Sequence, residues 1–94
     1  MKRYISLFRF TDQGAKAIKQ STTRAKDFAN AAAKAGVNIE AQYWTVGAYD
    51  GLLILSAEKE SDALRLLVAL AAAGNLTTKT LQGLSAIEFD AIAR

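Results

Sequence analysis

The stretch Gly47-Ala48-Tyr49-Asp50-Gly51 lies between two segments that favour β-strands. The segment before it, residues 39–46, is rich in β-branched and aromatic side chains, and residues 52–55 after it are an unbroken apolar run. Glycine and aspartate at these positions are typical of a tight turn, so the three segments predict a β-hairpin. The hairpin divides the chain into two halves, and each half contains one long helix and one further strand.

The half before the hairpin begins with a strand over residues 3–10. Apolar side chains occur at both parities of this strand, so we expect both of its faces to be covered. The stretch Thr11–Gly14 is interpreted as a turn, and residues 15–20 as a short helical turn. A long helix then begins near residues 21–23, where Ser21, Thr22 or Thr23 supplies the N-cap, and it ends before Gly36.

The half after the hairpin repeats this order. Ser61 is the expected N-cap of a second helix over residues 62–73, which ends at Gly74-Asn75. The threonine-rich residues 76–81 predict the fourth strand, at a sheet edge. The order β-α-β-β-α-β predicts an α+β fold over residues 1–94, a ferredoxin-like antiparallel sheet with both helices on one face.

A last short helix is predicted at the carboxyl end. Ser85 and Glu88 have the spacing of a capping box, in which each side chain satisfies a free backbone amide of the first turn. We expect this helix to carry Phe89 and Ile92 inward.

The second long helix is apolar almost all round, since Arg65 is the one charged residue in 63–73. Ala63, Leu67, Leu70 and Ala71 are predicted to form the stripe against the sheet, while Leu66 and Val68 are predicted to lie off it. A single sheet covers one stripe of a helix. The apolar residues of this helix outside that stripe predict contacts with the carboxyl-terminal segment or with further subunits in a tetramer or larger ring.

Placing both helices on one face leaves the other face of the sheet bare. If that face carries roughly 800 Å² of apolar area, its burial contributes on the order of 20 kcal/mol, against an association cost of about 4–15 kcal/mol. We therefore expect a homodimer formed through the open sheet face.

Composition narrows the possible chemistry. The chain has neither cysteine nor histidine, which removes thiolate nucleophiles, imidazole bases and the usual zinc and haem ligands. We expect no metal site and no cofactor. The basic start is not followed by an apolar signal segment, and no apolar run is long enough to span a bilayer, so a cytoplasmic protein without a membrane partner is expected. The third strand lacks stacking aromatics, so we expect no nucleic-acid partner.

Three motifs in order along the chain resemble those of the GYD-domain family. They are Thr11-Asp12-Gln13-Gly14, Gly47-Ala48-Tyr49-Asp50, and Gly74-Asn75 before the threonine-rich strand. Proteins of this family are small bacterial members of the dimeric α+β barrel group. The resemblance implies a homodimer whose two sheets pack face to face. It leaves the activity open, because barrels of this group include cofactor-free monooxygenases, isomerases, haem enzymes and ligand-sensing domains.

Three sets of residues are candidate sites, each with a structural alternative. Tyr49 and Asp50 are candidate catalytic residues, although aspartate and glycine are ordinary turn residues and Asp50 is equally suited to bond backbone amides of the turn. An aromatic set is the candidate ligand site or else core and interface packing: Tyr4, Phe8, Phe10, Tyr43, Trp44 and Tyr49. A group near the start of the first long helix is a candidate anion site or else a solvated face: Lys19, Ser21, Arg24 and Lys26.

Uneven charge permits an anionic ligand, although a solvated helical face is the simpler explanation of it. Residues 1–34 contain eight basic and two acidic side chains, although the whole chain carries only +3. Two functions remain from the sequence. One is a homo-oligomeric protein that binds a small apolar or anionic molecule, and the other is a cofactor-free monooxygenase or isomerase that uses the barrel cavity.

Overall fold

Four strands pair into one antiparallel sheet in the computed structural model, which describes residues 1–94. The strands are β1 (Lys2–Phe10), β2 (Val37–Trp44), β3 (Gly51–Ala57) and β4 (Leu76–Gly83), in the spatial order β2-β3-β1-β4. The helices are α1 (Asp12–Lys16), α2 (Ser21–Lys34), α3 (Glu60–Ala72) and α4 (Ala86–Ala93), with a 3₁₀ turn at Ile18–Gln20. The predicted ferredoxin-like α+β fold is confirmed.

The two faces of β1 differ in burial, and this shows which parity meets the helices. Tyr4, Ser6 and Phe8 are buried beneath the helices, whereas Ile5 and Leu7 between them are only half-buried. In the register of the sheet, Ile5 lies opposite Ile54 and Leu7 opposite Leu52, which are also half-buried. The helices therefore cover one face, and the other, here called the open sheet face, is without a covering layer.

The hydrophobic core is small and lies between the sheet and the two long helices. Only 14 of 94 residues are buried, including Phe8, Leu53 and Leu55 from the central strands. Helix α2 packs mainly on β2, and α3 packs mainly on β3 and β4. Because the two helices lie over different strands, a gap remains between them. No helix is long and apolar enough to cross a membrane.

Three predictions about how the helices start were wrong. Thr11–Gly14 is not a turn but the cap and first residues of α1, with the Thr11 hydroxyl accepting from the Gly14 amide at 3.1 Å. Helix α2 continues directly from the 3₁₀ turn and has no side-chain N-cap bond. Helix α3 begins at Glu60 with Lys59 as its N-cap, two residues earlier than the predicted cap at Ser61.

The buried stripe of α3 also differs from the prediction. Leu66 is buried with Ala63 and Leu67, whereas Ala71 is exposed. Residues three and four apart share a helix face, so Leu66 belongs with Ala63 and Leu70 rather than on a separate side. Val68 does lie off the sheet, with 68% of its surface exposed.

The inward packing predicted for the carboxyl-terminal helix was wrong as well. Phe89 and Ile92 on α4 are 60% and 69% exposed, and none of the residues of α4 is buried. Strand β4 is an edge strand, and the helix that follows it contributes no residue to the core.

Candidate functional site

The gap between α2 and α3 forms a groove with a volume of about 330 Å³. Its floor consists of Phe8 and Leu53, the side chains that point from β1 and β3 toward the helices. Phe28 on α2 and Leu70 on α3 form its walls. Twelve of the seventeen lining residues are hydrophobic, so the groove offers an apolar surface on three sides.

The sequence makes this groove by placing small residues on the helices. Ala25 and Ala31 on α2 and Ala69 and Ala73 on α3 line it, and none of them reaches across the gap. Larger side chains at these positions would close the space that a ligand needs. The small side chains of the two helices thus leave room between them.

Gly51 fixes the position of the aromatic floor. A Cβ atom at this residue would overlap the ring of Phe8 and the carbonyl of Tyr43, so only glycine allows the ring to lie over β3. Phe8 is in turn buried and meets Phe10 edge to face, with ring centroids 6.0 Å apart.

Polar groups gather on the α2 side of the groove. Arg24 donates from Nη1 to the Ala17 carbonyl at 2.8 Å and from Nη2 to Ser21 Oγ at 3.4 Å. These bonds hold the guanidinium in place and use only part of its hydrogen-bonding capacity. Asp27, Gln42 and Asn75 also line the groove, so its one cationic side chain, Arg24, lies among neutral and acidic groups.

The hairpin residues have structural bonds. One Asp50 carboxylate oxygen accepts from the Phe10 amide at 2.8 Å, and the Asp50 amide donates to the Phe8 carbonyl at 2.9 Å. Together these bonds extend the pairing of β1 beyond the start of β3. The Arg9 guanidinium lies over the ring of Tyr49 at 4.9 Å and donates to the Ala48 carbonyl at 2.7 Å.

The other motifs meet each other across the fold. Thr11 donates from its hydroxyl to the Gly74 carbonyl at 2.6 Å and from its amide to the Asn75 carbonyl at 3.1 Å. Gln13 donates from Nε2 to the Ala73 carbonyl and to Asn75 Oδ1, both at 3.1 Å. Helix α1 is therefore fastened to the loop between α3 and β4, beside one end of the groove.

The candidate aromatic residues do not lie together in one site. Phe8, Phe10 and Trp44 line the groove. Tyr43 is on the open sheet face, opposite Leu52, and Tyr49 stacks against Arg9 at the hairpin.

Tyr4 is buried away from the groove, at the start of α3. Its hydroxyl donates to Glu60 Oε1 at 3.0 Å. Burial, the hydrogen bond and the negative charge of Glu60 raise the pKa of the Tyr4 phenol above its usual value, so it stays a neutral donor.

The candidate anion set is also divided. Ser21 and Arg24 line the groove, whereas Lys19 and Lys26 are exposed and line no part of it. The structure adds groove residues that were not candidates from the sequence, among them Phe28, Gln42 and Leu66. Phe28 had a signal, as the large apolar residue on the inward face of α2. The structure has no cluster of three or more acidic side chains suited to a metal ion.

Comparison with known proteins gives one family and one relative. The model of the GYD domain matches residues 4–93. A protein of Thermus thermophilus is 32% identical over 95 residues, which cover 100% of this chain and 98% of that protein. It is named glutamine synthetase and cystathionine beta-lyase binding protein. No solved structure matches the chain.

Proposed function

The chain belongs to the GYD-domain family, and from that premise we propose that it is a homodimeric protein that binds a small molecule without turning it over. The ligand is an apolar compound that carries one anionic group. The groove between α2 and α3 is the observation that supports this proposal. Its volume of about 330 Å³ is at the lower end of the range for small-molecule sites.

The chemistry of the groove selects the ligand class. Phe8, Phe28 and Trp44 offer aromatic surface to a flat apolar body. Arg24 is partly buried and already oriented by Ala17, so little side-chain freedom is lost when it binds an anion. A carboxylate is the matching group, because guanidinium N–H groups pair with its oxygens in a planar arrangement.

Arg24→Gln is expected to weaken the binding of 2-naphthoate about tenfold, because a charge-assisted hydrogen bond contributes about 1.5 kcal/mol. The binding of 2-naphthylmethanol, which has the same apolar body without the charge, should change little. Titration calorimetry measures both dissociation constants. Lys26→Gln is the matched control, since it removes one cation from the same helix outside the groove. Equal losses for the two probes would contradict the role of Arg24, and no binding of either would contradict the site.

The open sheet face supports the homodimer. Its apolar and aromatic residues come from all four strands and are half-buried or exposed in one chain: Ile5, Leu7, Tyr43, Leu52, Ile54 and Leu81. A continuous apolar face of this kind is unusual on a monomeric protein. A second copy of the chain presents the same face and covers it isologously.

The alternative enzyme function depends on Tyr49 and Asp50. Both residues have structural bonds at the hairpin, which supports binding rather than catalysis. A cofactor-free monooxygenase or isomerase would still convert a conjugated substrate when only the protein is added. An assay for turnover of groove ligands without cofactor separates the two functions.

A protein partner is a second function, which the Thermus relative and helix α3 favour. The name of that relative describes binding to two enzymes. On the outer side of α3, away from the sheet, Leu64 and Val68 are 47% and 68% exposed. We propose that this outer side of α3 contacts a metabolic enzyme of the kind that the relative binds.

Val68→Glu is expected to reduce the affinity for purified glutamine synthetase or cystathionine beta-lyase at least tenfold, because a charge replaces an apolar contact. Biolayer interferometry with each enzyme measures the change, and Thr22→Glu on α2 controls for added charge. Sedimentation of the protein without an enzyme tests whether further copies of the chain bind to the outer side of α3 instead. A tetramer or ring that Val68→Glu converts to dimers would assign the surface to further copies of the chain and contradict the enzyme contact.

A further inference from the structure

Helix α4 is well formed, and yet none of its residues is buried in its own chain. Its capping box is complete, with the Ser85 amide donating to Glu88 Oε1 at 2.8 Å and the Glu88 amide donating to Ser85 Oγ at 3.1 Å. These bonds give the helix a defined start without tertiary contacts. Three large apolar side chains then face solvent: Ile87, Phe89 and Ile92 are 84%, 60% and 69% exposed.

The location of α4 relates it to the open sheet face. Arg3 extends from that face, with its Nε 3.2 Å from both carboxylate oxygens of Glu40 and its Nη1 3.9 Å from Glu88 Oε1. Arg3 thus links the edge strand β2 to the first turn of α4 across the sheet. The helix begins beside the open sheet face and on the side away from α2 and α3.

The charges on α4 restrict what covers it. Glu88 and Asp90 are acidic, and Arg94, the one cation near the end, is 2.8 Å from Asp90. A helix that binds an anionic membrane surface presents lysine and arginine beside its apolar residues, and α4 presents carboxylates instead. A protein surface is therefore the better match for α4.

We propose that α4 of each copy packs against the second copy in the homodimer and extends the interface that the open sheet face begins. This inference rests on the proposed homodimer and adds a named segment to it. Two considerations select the second copy as the occupant. The first turn of α4 lies beside the open sheet face, where Glu88 meets Arg3 at 3.9 Å, and an isologous interface covers both helices at once. Each copy then contributes one α4 and receives the other.

Substitution of the apolar residues of α4 tests the proposal. Phe89→Glu and Ile92→Glu are each expected to raise the dimer dissociation constant roughly 10- to 100-fold in sedimentation equilibrium, as loss of an interface anchor does. Both side chains are exposed in one chain, so the fold should be retained in thermal unfolding. Asn30→Glu is the matched control, because Asn30 is an exposed position on α2, on the other side of the molecule. It should leave the dimer dissociation constant unchanged.

Hydrogen exchange gives a second readout that a general loss of stability would not reproduce. Amides of residues 86–93 should exchange slowly in the dimer and rapidly when the protein is diluted below its dissociation constant. The amides of β1 and β3 should remain protected at both concentrations, because they are paired within one chain.

The outcomes separate this inference from the proposed function. If α4 exchanges rapidly in a stable dimer, or if Phe89→Glu and Ile92→Glu dimerise as the unmodified chain does, the role of α4 is wrong and the homodimer stands. If the unmodified chain is monomeric at 100 μM, the homodimer itself is wrong. Association of the unmodified chain with phosphatidylglycerol vesicles that Ile92→Glu abolishes would assign α4 to a membrane and overturn the proposal.

Discussion

Replacing Ile54 with glutamate is expected to convert the proposed dimer to monomers. Ile54 is on the central strand β3, opposite Ile5 on β1 and Ala41 on β2, at the middle of the open sheet face. A carboxylate buried there by the second copy would lose its hydration without gaining a partner, at a cost of several kcal/mol. The dimer dissociation constant should therefore rise roughly 1000-fold, which corresponds to about 4 kcal/mol. Sedimentation equilibrium at micromolar concentration measures it.

The monomer that results should keep its fold, because Ile54 is half-exposed in the single chain and outside the buried core. Circular dichroism and thermal unfolding check this point. Asn30→Glu adds the same charge to an exposed position on α2 and should leave the dimer intact. A variant at Ile54 that still sediments as a dimer would show that the open sheet face is not the interface.

The order of strands and helices could be predicted from the sequence because each element has a local signal. The hairpin has its glycines, the helices have their apolar spacing, and the last helix has a capping box that the structure confirms. The two faces of β1 could not be distinguished, since both parities carry apolar residues. The distinction depends on which side chains meet the helices, and that is a property of the whole fold.

The predictions that were wrong depend on contacts between distant parts of the chain. Thr11 caps α1 and Gln13 lies within it, and their side chains bind the carbonyls of Gly74 and Ala73, which no local pattern reveals. The position of α4 depends on the path of the chain after β4, which no local pattern in the sequence determines.

The groove likewise depends on contacts between distant parts of the chain. Phe8, Trp44 and Arg24 were candidate residues, but they belong to one site only because α2 and α3 lie over different strands. The sequence therefore indicated which side chains are suited to bind a ligand, but it did not indicate that these side chains lie close together.

Gly14→Ala is expected to destabilise the protein, although helix propensity alone predicts the opposite. Alanine is favoured over glycine in a helix interior by about 1 kcal/mol. A Cβ atom at Gly14 of α1, however, would overlap the Asn75 carbonyl oxygen, and that carbonyl accepts from the Thr11 amide at 3.1 Å. Helix α1 would have to move away from the loop after α3, at the point where hydrogen bonds join the two.

The expected loss in free energy of unfolding is about 3 kcal/mol, at the upper end of the range for overpacking, because the obstructing atom belongs to the backbone. For a domain of this size that corresponds to a fall in melting temperature of roughly 12–24 °C, measured by calorimetry. Gly83→Ala is the control, since a Cβ atom there would meet Ile5 at an ordinary 3.5 Å. If Gly14→Ala melts at or above the temperature of the unmodified chain, the close approach of α1 to Asn75 does not hold the two halves of the fold together. A fall confined to Gly14→Ala would show that the Thr11–Gly14 motif serves to join them.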